Sequence, residues 1–253
     1  DAEALTASRE ILQASLLGQG ISSEEQAVMI KNEVDKCAIA DSVIAVSEQE
    51  AEVYRSHGIE SVYVLGHMMT ANPSNSSFKN REGLLFVGAL RDEGSPNVDS
   101  LLWFCINVLP LIEKNMPDIT VYVVGELGAP SLSTVKKENI NFLGKIKDLN
   151  DIYNQCKVFI APTRFAAGIP HKVHEAAANG IPCVTTELLA KQLNWTEGEE
   201  LLIGNSPDEF SSQCLRLYSD QKLWEDIRQR GLSVSANDCS ETNFQKQLES
   251  IFN

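Results

Sequence analysis

No apolar run in this sequence approaches the roughly 18 residues that cross a bilayer as a helix, so a membrane span is excluded. Positive charge is also scarce: 21 Lys and Arg stand against 35 Asp and Glu, for a formal net charge of −14. A nucleic-acid partner calls for a basic patch or stripe, and that class is set aside. An anionic ligand would then be held by local dipoles and a few cations, not by the overall field. The six cysteines (37, 105, 156, 183, 214 and 239) include no pair at metal-ligand spacing, and several sit in apolar stretches such as LLWFCINVL. Free, buried thiols in a reducing compartment are expected. His171 and His174 are three apart with no acid or cysteine at ligand spacing, so no metal is expected. Neither G-x-G-x-x-G nor a P-loop occurs, and no Ser/His/Asp set or carboxylate pair emerges from spacing, which leaves the catalytic residues unassigned. The chain opens DAEALTASRE, with no initiator Met and no signal-peptide pattern. It reads as part of a longer, cytoplasmic protein. The triplets beginning at Asn75 and Asn194 match glycosylation sequons, which arise often by chance.

What is present is an alternation of strands and helices over 253 residues. Residues 1–40 are helical in character, with a cap at Ser22 and Ala27, Ile30, Val34 and Ile39 at helical spacing. Strands are expected at 42–46 and 61–65. Between them Ser47 caps a helix, with Glu50 placed as in a capping box. Residues 70–82 are polar and hold Pro and Ser, the best linker in the chain. Further strands follow at 84–87, 119–124, 140–143, 157–161, 182–186 and 201–203. Helices are expected at 96–115, 148–156, 169–179, 206–218, 221–234 and 241–252. This pattern implies a doubly wound parallel sheet that binds ligands at the carboxyl ends of its strands. The expected division is 1–76 as the end of a first domain plus linker, 77–239 as a ligand-binding domain, and 240–253 as a C-terminal helix packing back on the N-terminal part.

Residues 157–186, KVFIAPTRFAAGIPHKVHEAAANGIPCVTT, form a strand–loop–helix–strand unit whose loop opens onto a helix N-terminus, where backbone amides can hold an anion. By i+3 and i+4 spacing, His171, Lys172 and Glu175 share one helix face, while Ile169, Val173, Ala176 and Ala177 share the other. Pro170 suits the first helical position. Lys172 favours a phosphate, and Glu175, a turn further in, is placed to accept from ribose hydroxyls. An exposed Lys172–Glu175 ion pair, worth ~0.3 kcal/mol, accounts for the same two residues. Arg164, just after the strand, and Arg91, in the long loop after Gly88, are further cation candidates.

The run PTRFAAGIPHKVHEAAANGIPCVTT resembles the donor-binding segment of GT-B fold glycosyltransferases of the retaining family 4 (group 1) type. LLFVGALRDEGSPNVDSLLWF, VYVVGE and NINFLGKIKDLNDIYNQCKVFIAP resemble the first and later strands of that family's C-terminal domain. KNEVDKCAIADSVIAVSEQEAEVYRSHG resembles the end of its N-terminal domain. The resemblance implies a GT-B type α/β fold: a Rossmann-like doubly wound sheet plus a partial second Rossmann-like domain. It implies a nucleotide-diphosphate sugar donor, an acceptor that is a glycan, lipid or protein, no cofactor or metal, and a place in bacterial polysaccharide or glycan synthesis. Position by position, Glu175 fits the ribose-contacting Glu of the family's E-x7-E signature, and Lys172 and Arg164 fit residues near the diphosphate. Gly168, Ile169 and Pro170 fit the loop whose amides face the donor, Gly88 fits the Gly of the first loop, and Lys145, Ile146 and Leu149 lie where the base is cradled.

Two positions depart from the family: Ala167 stands where the first Glu of E-x7-E would be, and the first loop offers only Arg91, beside Asp92 and Glu93. The donor-sugar contacts must therefore differ from the usual ones. The front of the acceptor-side domain is missing from this sequence, so the chain is expected to bind donor weakly and not to transfer sugar alone. A non-catalytic module of the same fold and a sugar-nucleotide epimerase are the alternatives; the Lys-Val-x-Glu-Ala segment favours transfer over epimerisation.

Overall fold

The computed structural model describes residues 4–252, which divide into two compact units. The first comprises the chain up to Met69, the segment Arg164–Pro170 and the chain from Asn237 onward; the second comprises Thr70–Thr163 and His171–Ala236.

In the first unit, helices α1 (Thr6–Leu16), α2 (Ser23–Cys37) and α3 (Glu48–Ser56) accompany a parallel pair of strands, β1 (Val43–Ala45) and β2 (Val62–Val64). Its core gathers Leu5, Val34, Val43, Ala45, Ala51 and Tyr54. Ser22 and Glu25 form a complete capping box on α2. The box expected at Ser47 and Glu50 is only half formed. The Ser47 hydroxyl accepts from the Glu50 amide at 3.3 Å, but the Glu50 carboxylate accepts instead from the amides of Leu5 (3.2 Å) and Gly168 (2.8 Å). A second acid, Glu33, accepts from the next two amides of α1, those of Thr6 and Ala7. Acidic side chains from α2 and α3 thus satisfy the donors that a helix start leaves open. Ala27 and Ile39, expected on the apolar face of α2, are exposed, because α2 ends at Cys37 and turns Ile30, Val34 and Cys37 inward.

The second unit is built on six parallel strands: β3 (Leu84–Val87), β4 (Val121–Val124), β5 (Ile140–Gly144), β6 (Val158–Ala161), β7 (Cys183–Thr185) and β8 (Leu202–Ile203). Their spatial order is β5-β4-β3-β6-β7-β8. The order reverses between β3 and β6, the topological switch point where open α/β sheets bind ligands. The strands read as continuous Val, Ile, Leu and Phe runs because helices cover both faces. Leu84, Phe86, Val121, Val123, Val158 and Ile160 pack into the large core with α4 (Pro96–Trp103), α5 (Leu109–Glu113), and later α9 (Pro207–Ser219) and α10 (Gln221–Asp238). Helix α7 (His171–Ala178) packs on β6 and β7, and the short α6 (Asn150–Gln155) sets Tyr153 against Phe159 of β6. A last helix, α11 (Glu241–Phe252), belongs to the first unit, where Gln247 Oε1 accepts from the Gly66 amide at 2.9 Å.

Two departures from expectation have local causes. The helix expected over 96–115 contains a π segment, Phe104–Val108, between α4 and α5. Pro110 lacks an N–H and its ring would crowd the carbonyl of Ile106; the wider turn absorbs both. A helix not anticipated at all, α8 (Glu187–Leu193), is seven residues long and stops at Asn194, which takes the left-handed conformation at φ 56°. All six cysteines are free, and five of them are buried.

Arg81 ties the sheet to the segment before it. It is 2% exposed, and its guanidinium donates to the carbonyls of Ser76 (3.1 Å), Tyr153 (2.6 Å) and Cys156 (3.1 Å) and to the Ser74 hydroxyl (2.9 Å). Burial, with the charge of Arg228 second, pushes it down to about 10. An ammonium cannot reproduce this fork. Arg81→Lys should therefore destabilise the protein by about 2 kcal/mol, read as a lowered midpoint in urea, because buried carbonyls lose their donor.

Candidate functional site

The site grows from the switch point. As the spacing predicts, α7 buries Val173, Ala176 and Ala177, while His171 is exposed and Lys172 and Glu175 are partly buried. The helix starts at His171, directly after Pro170. Lys172 extends over β3: its Nζ donates to Asn97 Oδ1 at 2.9 Å and to Thr163 Oγ1 at 3.3 Å, and lies 5.4 Å from the centroid of the Phe86 ring. Asn97 follows β3 and Thr163 follows β6, so Lys172 joins the two strands at which the order reverses. The Asn97 amide is fixed by its own donation to Ala89 O at 3.3 Å. The exposed Lys172–Glu175 pair is thus not what forms; the ammonium turns to neutral acceptors. Burial pushes Lys172 down to about 8, and among the described residues no carboxylate offsets it.

Two glycines make this geometry possible. A Cβ on Gly88 would lie 2.8 Å from Asn97 Cγ, so the bare backbone at the end of β3 is what lets Asn97 sit where Lys172 finds it. Gly125 follows β4, has φ 153°, and would place a Cβ 1.8 Å from the Gly88 carbonyl oxygen. The amides of Gly88 and Gly125 donate to Val124 O and Gly144 O, each at 2.9 Å, so three neighbouring strand ends are laced together.

Beside these strand ends lie two adjoining cavities. One, about 260 Å³, is lined by Gly88, Gly125, Lys145, Ile146 and Leu149, with Val87, Ala89, Arg91, Val124 and Glu126. The other, about 640 Å³, is lined by residues 146–150, Tyr153, Glu175 and Asn179. Ile146 and Leu149 line both. Gly88, Lys145, Ile146, Leu149 and Glu175, chosen from sequence, are therefore neighbours in space. Arg91 forms an exposed ion pair with Glu126 at 3.6 Å. Burial raises the Glu175 carboxyl, and the Tyr153 hydroxyl partly opposes this.

Arg164, Gly168, Ile169 and Pro170 fall in the first unit. There the Gly168 amide is engaged by Glu50, so it is not an open donor. Sequence reasoning missed Asn97, Thr163 and Tyr153, and misread Glu50. Asn97 and Thr163 lie 75 and nine residues from Lys172 and carry no charge, so only the fold connects them to it. Among the described residues, no helix is long and apolar enough to cross a membrane.

The family model for glycosyl transferases group 1 matches residues 81–220, more than half of the chain. A curated Klebsiella pneumoniae protein, described as an uncharacterized 44.6 kDa protein in the cps region, is 28% identical over 141 residues, covering 52% of this chain and 36% of that protein. Among solved structures, TarM superposes with a TM-score of 0.72 at 13% identity, over 92% of this chain and 47% of that one. Anabaena HepE in complex with UDP and glucose gives 0.71 at 17% identity, over 89% and 67%. The pneumococcal O-GlcNAc transferase GtfA in complex with UDP and GlcNAc gives 0.69 at 18%, over 87% and 46%. These likenesses show the GT-B fold. The chain spans about half or less of the length of the Klebsiella protein, TarM and GtfA.

Proposed function

The chain belongs to the group 1 glycosyl transferases, and from that premise we propose that it supplies the donor-binding half of an enzyme that transfers a sugar from a nucleotide-diphosphate sugar, with retention of anomeric configuration. The observation that carries this reading is Lys172: a cation at the switch point, partly desolvated and held, among the described residues, only by neutral acceptors, on the same helix as Glu175, which lines a cavity able to take a nucleoside. A diphosphate provides the counter-charge that Lys172 lacks, with the amides at the start of α7 as further donors. Lys145, Ile146 and Leu149 border the base, Gly88 lets the ligand approach the backbone, and Glu175 accepts from the ribose. Arg164 and the loop Gly168, Ile169 and Pro170 are assigned to the donor's phosphate and sugar, with Gly168 acting through its backbone position because its amide serves Glu50.

Catalysis on this reading rests on orientation and on stabilising the departing diphosphate, which carries the developing negative charge. No metal and no organic cofactor is assigned to it. UDP is the first nucleotide to test, since HepE and GtfA were solved with it. The acceptor is a glycan, lipid or protein of a bacterial polysaccharide or glycan pathway, a setting supported by the relative in a cps region.

Calorimetric titration of the chain with UDP, GDP and their common sugars tests the proposal. One of them should bind, and Glu175→Ala should weaken it about tenfold, the loss of one or two hydrogen bonds to a charged acceptor. Binding of none would discard the donor site and favour the non-catalytic module. Binding indifferent to Glu175→Ala would keep the fold but remove Glu175 from the site.

A further inference from the structure

We infer that Tyr153 is a positioning residue for Glu175: its buried, unpartnered hydroxyl is the donor toward which one oxygen of the Glu175 carboxylate turns, leaving the other to accept from a ligand hydroxyl in the cavity they share. Three observations carry this. Tyr153 is 1% exposed and lines the same cavity as Glu175. Among the described residues its hydroxyl completes no hydrogen bond of normal geometry, and a phenol buried in that state is costly where Phe would fill the same volume without loss. Its ring is also held in place. Arg81 grips the carbonyls of Tyr153 and Cys156, and Phe159 flanks the ring with centroids 6.4 Å apart, so the hydroxyl stays where α6 puts it.

Glu175 is the flexible member of the pair. Its backbone is anchored, since its carbonyl accepts from Asn179 Nδ2 at 2.9 Å, while its side chain is partly exposed to the cavity. An acceptor with only one oxygen aimed at the ligand needs something to set its rotation. Each group also registers the other. After burial, the charge of Glu175 is the next cause raising the Tyr153 phenol, and the Tyr153 hydroxyl lowers Glu175 against its own burial. The phenol therefore stays neutral and a donor across the working range. Lys147 and Asp148 also line this cavity, and His171 lies one turn earlier on α7.

The identity of the ligand hydroxyl as that of a ribose rests on the donor-site reading above; the contact between the two side chains does not. The test is Tyr153→Phe, which removes only the phenol oxygen and keeps the ring against Phe159. Titration of the Glu175 carboxyl carbon by NMR, without ligand, should move to higher pH in Tyr153→Phe. UDP should be bound in preference to its 2′- or 3′-deoxy analogue, and that preference should shrink about fivefold in the variant. The thermal midpoint should hold or rise, which separates a lost positioning contact from a damaged fold. In a Glu175→Gln background Tyr153→Phe should have a smaller effect on the same preference, the signature of two residues acting through one contact. An unmoved Glu175 titration would overturn the inference whatever the nucleotide does. If the titration moves while no nucleotide binds, the positioning contact stands and the donor reading alone fails.

Discussion

Replacing Lys172 with Met is expected to weaken nucleoside diphosphate binding about 100-fold, near 2.7 kcal/mol, while leaving the unliganded protein as stable as before or more so by about 1 kcal/mol. The opposed signs follow from one circumstance. Without ligand, the ammonium is taken from water and given only Asn97 and Thr163, both neutral, which is a net burden on the fold. With a diphosphate present the same charge gains a partner of opposite sign in a partly desolvated setting. Met keeps the apolar stem over Phe86 and deletes the charge. Calorimetry and thermal melts on the same two samples check both halves; a variant that binds as tightly as the parent would remove Lys172 from the site.

The pH dependence has a definite direction. Lys172 in the folded chain releases its proton at about 8, below the usual lysine range. Diphosphate affinity should therefore be highest below about pH 8 and decline above it, and this limb should vanish in Lys172→Met. Stability moves the other way. Between about pH 8 and the usual lysine value near 10.4 the unfolded chain holds more protons at this position than the folded one, so this residue's contribution to stability rises with pH through that window.

Gly125→Ala is expected to have the largest effect on folding. The new Cβ would stand 1.8 Å from the Gly88 carbonyl oxygen, and both atoms belong to backbone pinned by strand pairing. Neither can rotate away as a side chain would. A loss of about 4 kcal/mol is anticipated, or roughly 10 °C in the thermal midpoint. Gly198→Ala is the matched control. Gly198 has φ 76° but nothing within 4 Å of a Cβ, so it should lose only about 1 kcal/mol, from backbone strain alone. Equal effects at the two positions would mean that conformation, not contact, governs Gly125.

Much of this architecture is legible in the sequence because parallel strands buried on both faces are short, continuous apolar runs ending at Gly, Pro or a polar cap. LLFV before Gly88, VYVV before Gly125 and VFIA before Pro162 read correctly for that reason. Helix interiors are harder. Nothing in the periodicity of 96–115 reveals that Pro110 forces a π turn, since apolar spacing survives the wider coil. Helix α8 escapes because ELLAKQL spans barely two turns. At the site, Lys172 and Glu175 are visible from their shared helix face, but what each does depends on tertiary neighbours. Asn97 and Thr163 turn Lys172 from an exposed pair partner into an isolated cation, and Tyr153, in the short helix NDIYNQ, looks like any core aromatic. Glu50 is the sharpest lesson. Its spacing from Ser47 fits a capping box, yet burial offers its carboxylate two distant amides in place of the near one.

That choice by Glu50 limits how the protein can be divided. Chain order places residues 164–170 between two stretches of the second unit, and an engineer cutting at the interdomain linker would carry them off with it. The loop's amide anchor, however, is a carboxylate more than a hundred positions earlier, which also fastens the start of α1. A polypeptide from Thr70 to Ala236 would keep the sheet, Lys172 and Glu175 but lose the group that holds Gly168. The sheet with Lys172 and Glu175 is thus portable by excision or domain exchange, whereas the 164–170 loop is jointly owned, and a chimera that moves this loop must import a compatible acid along with it.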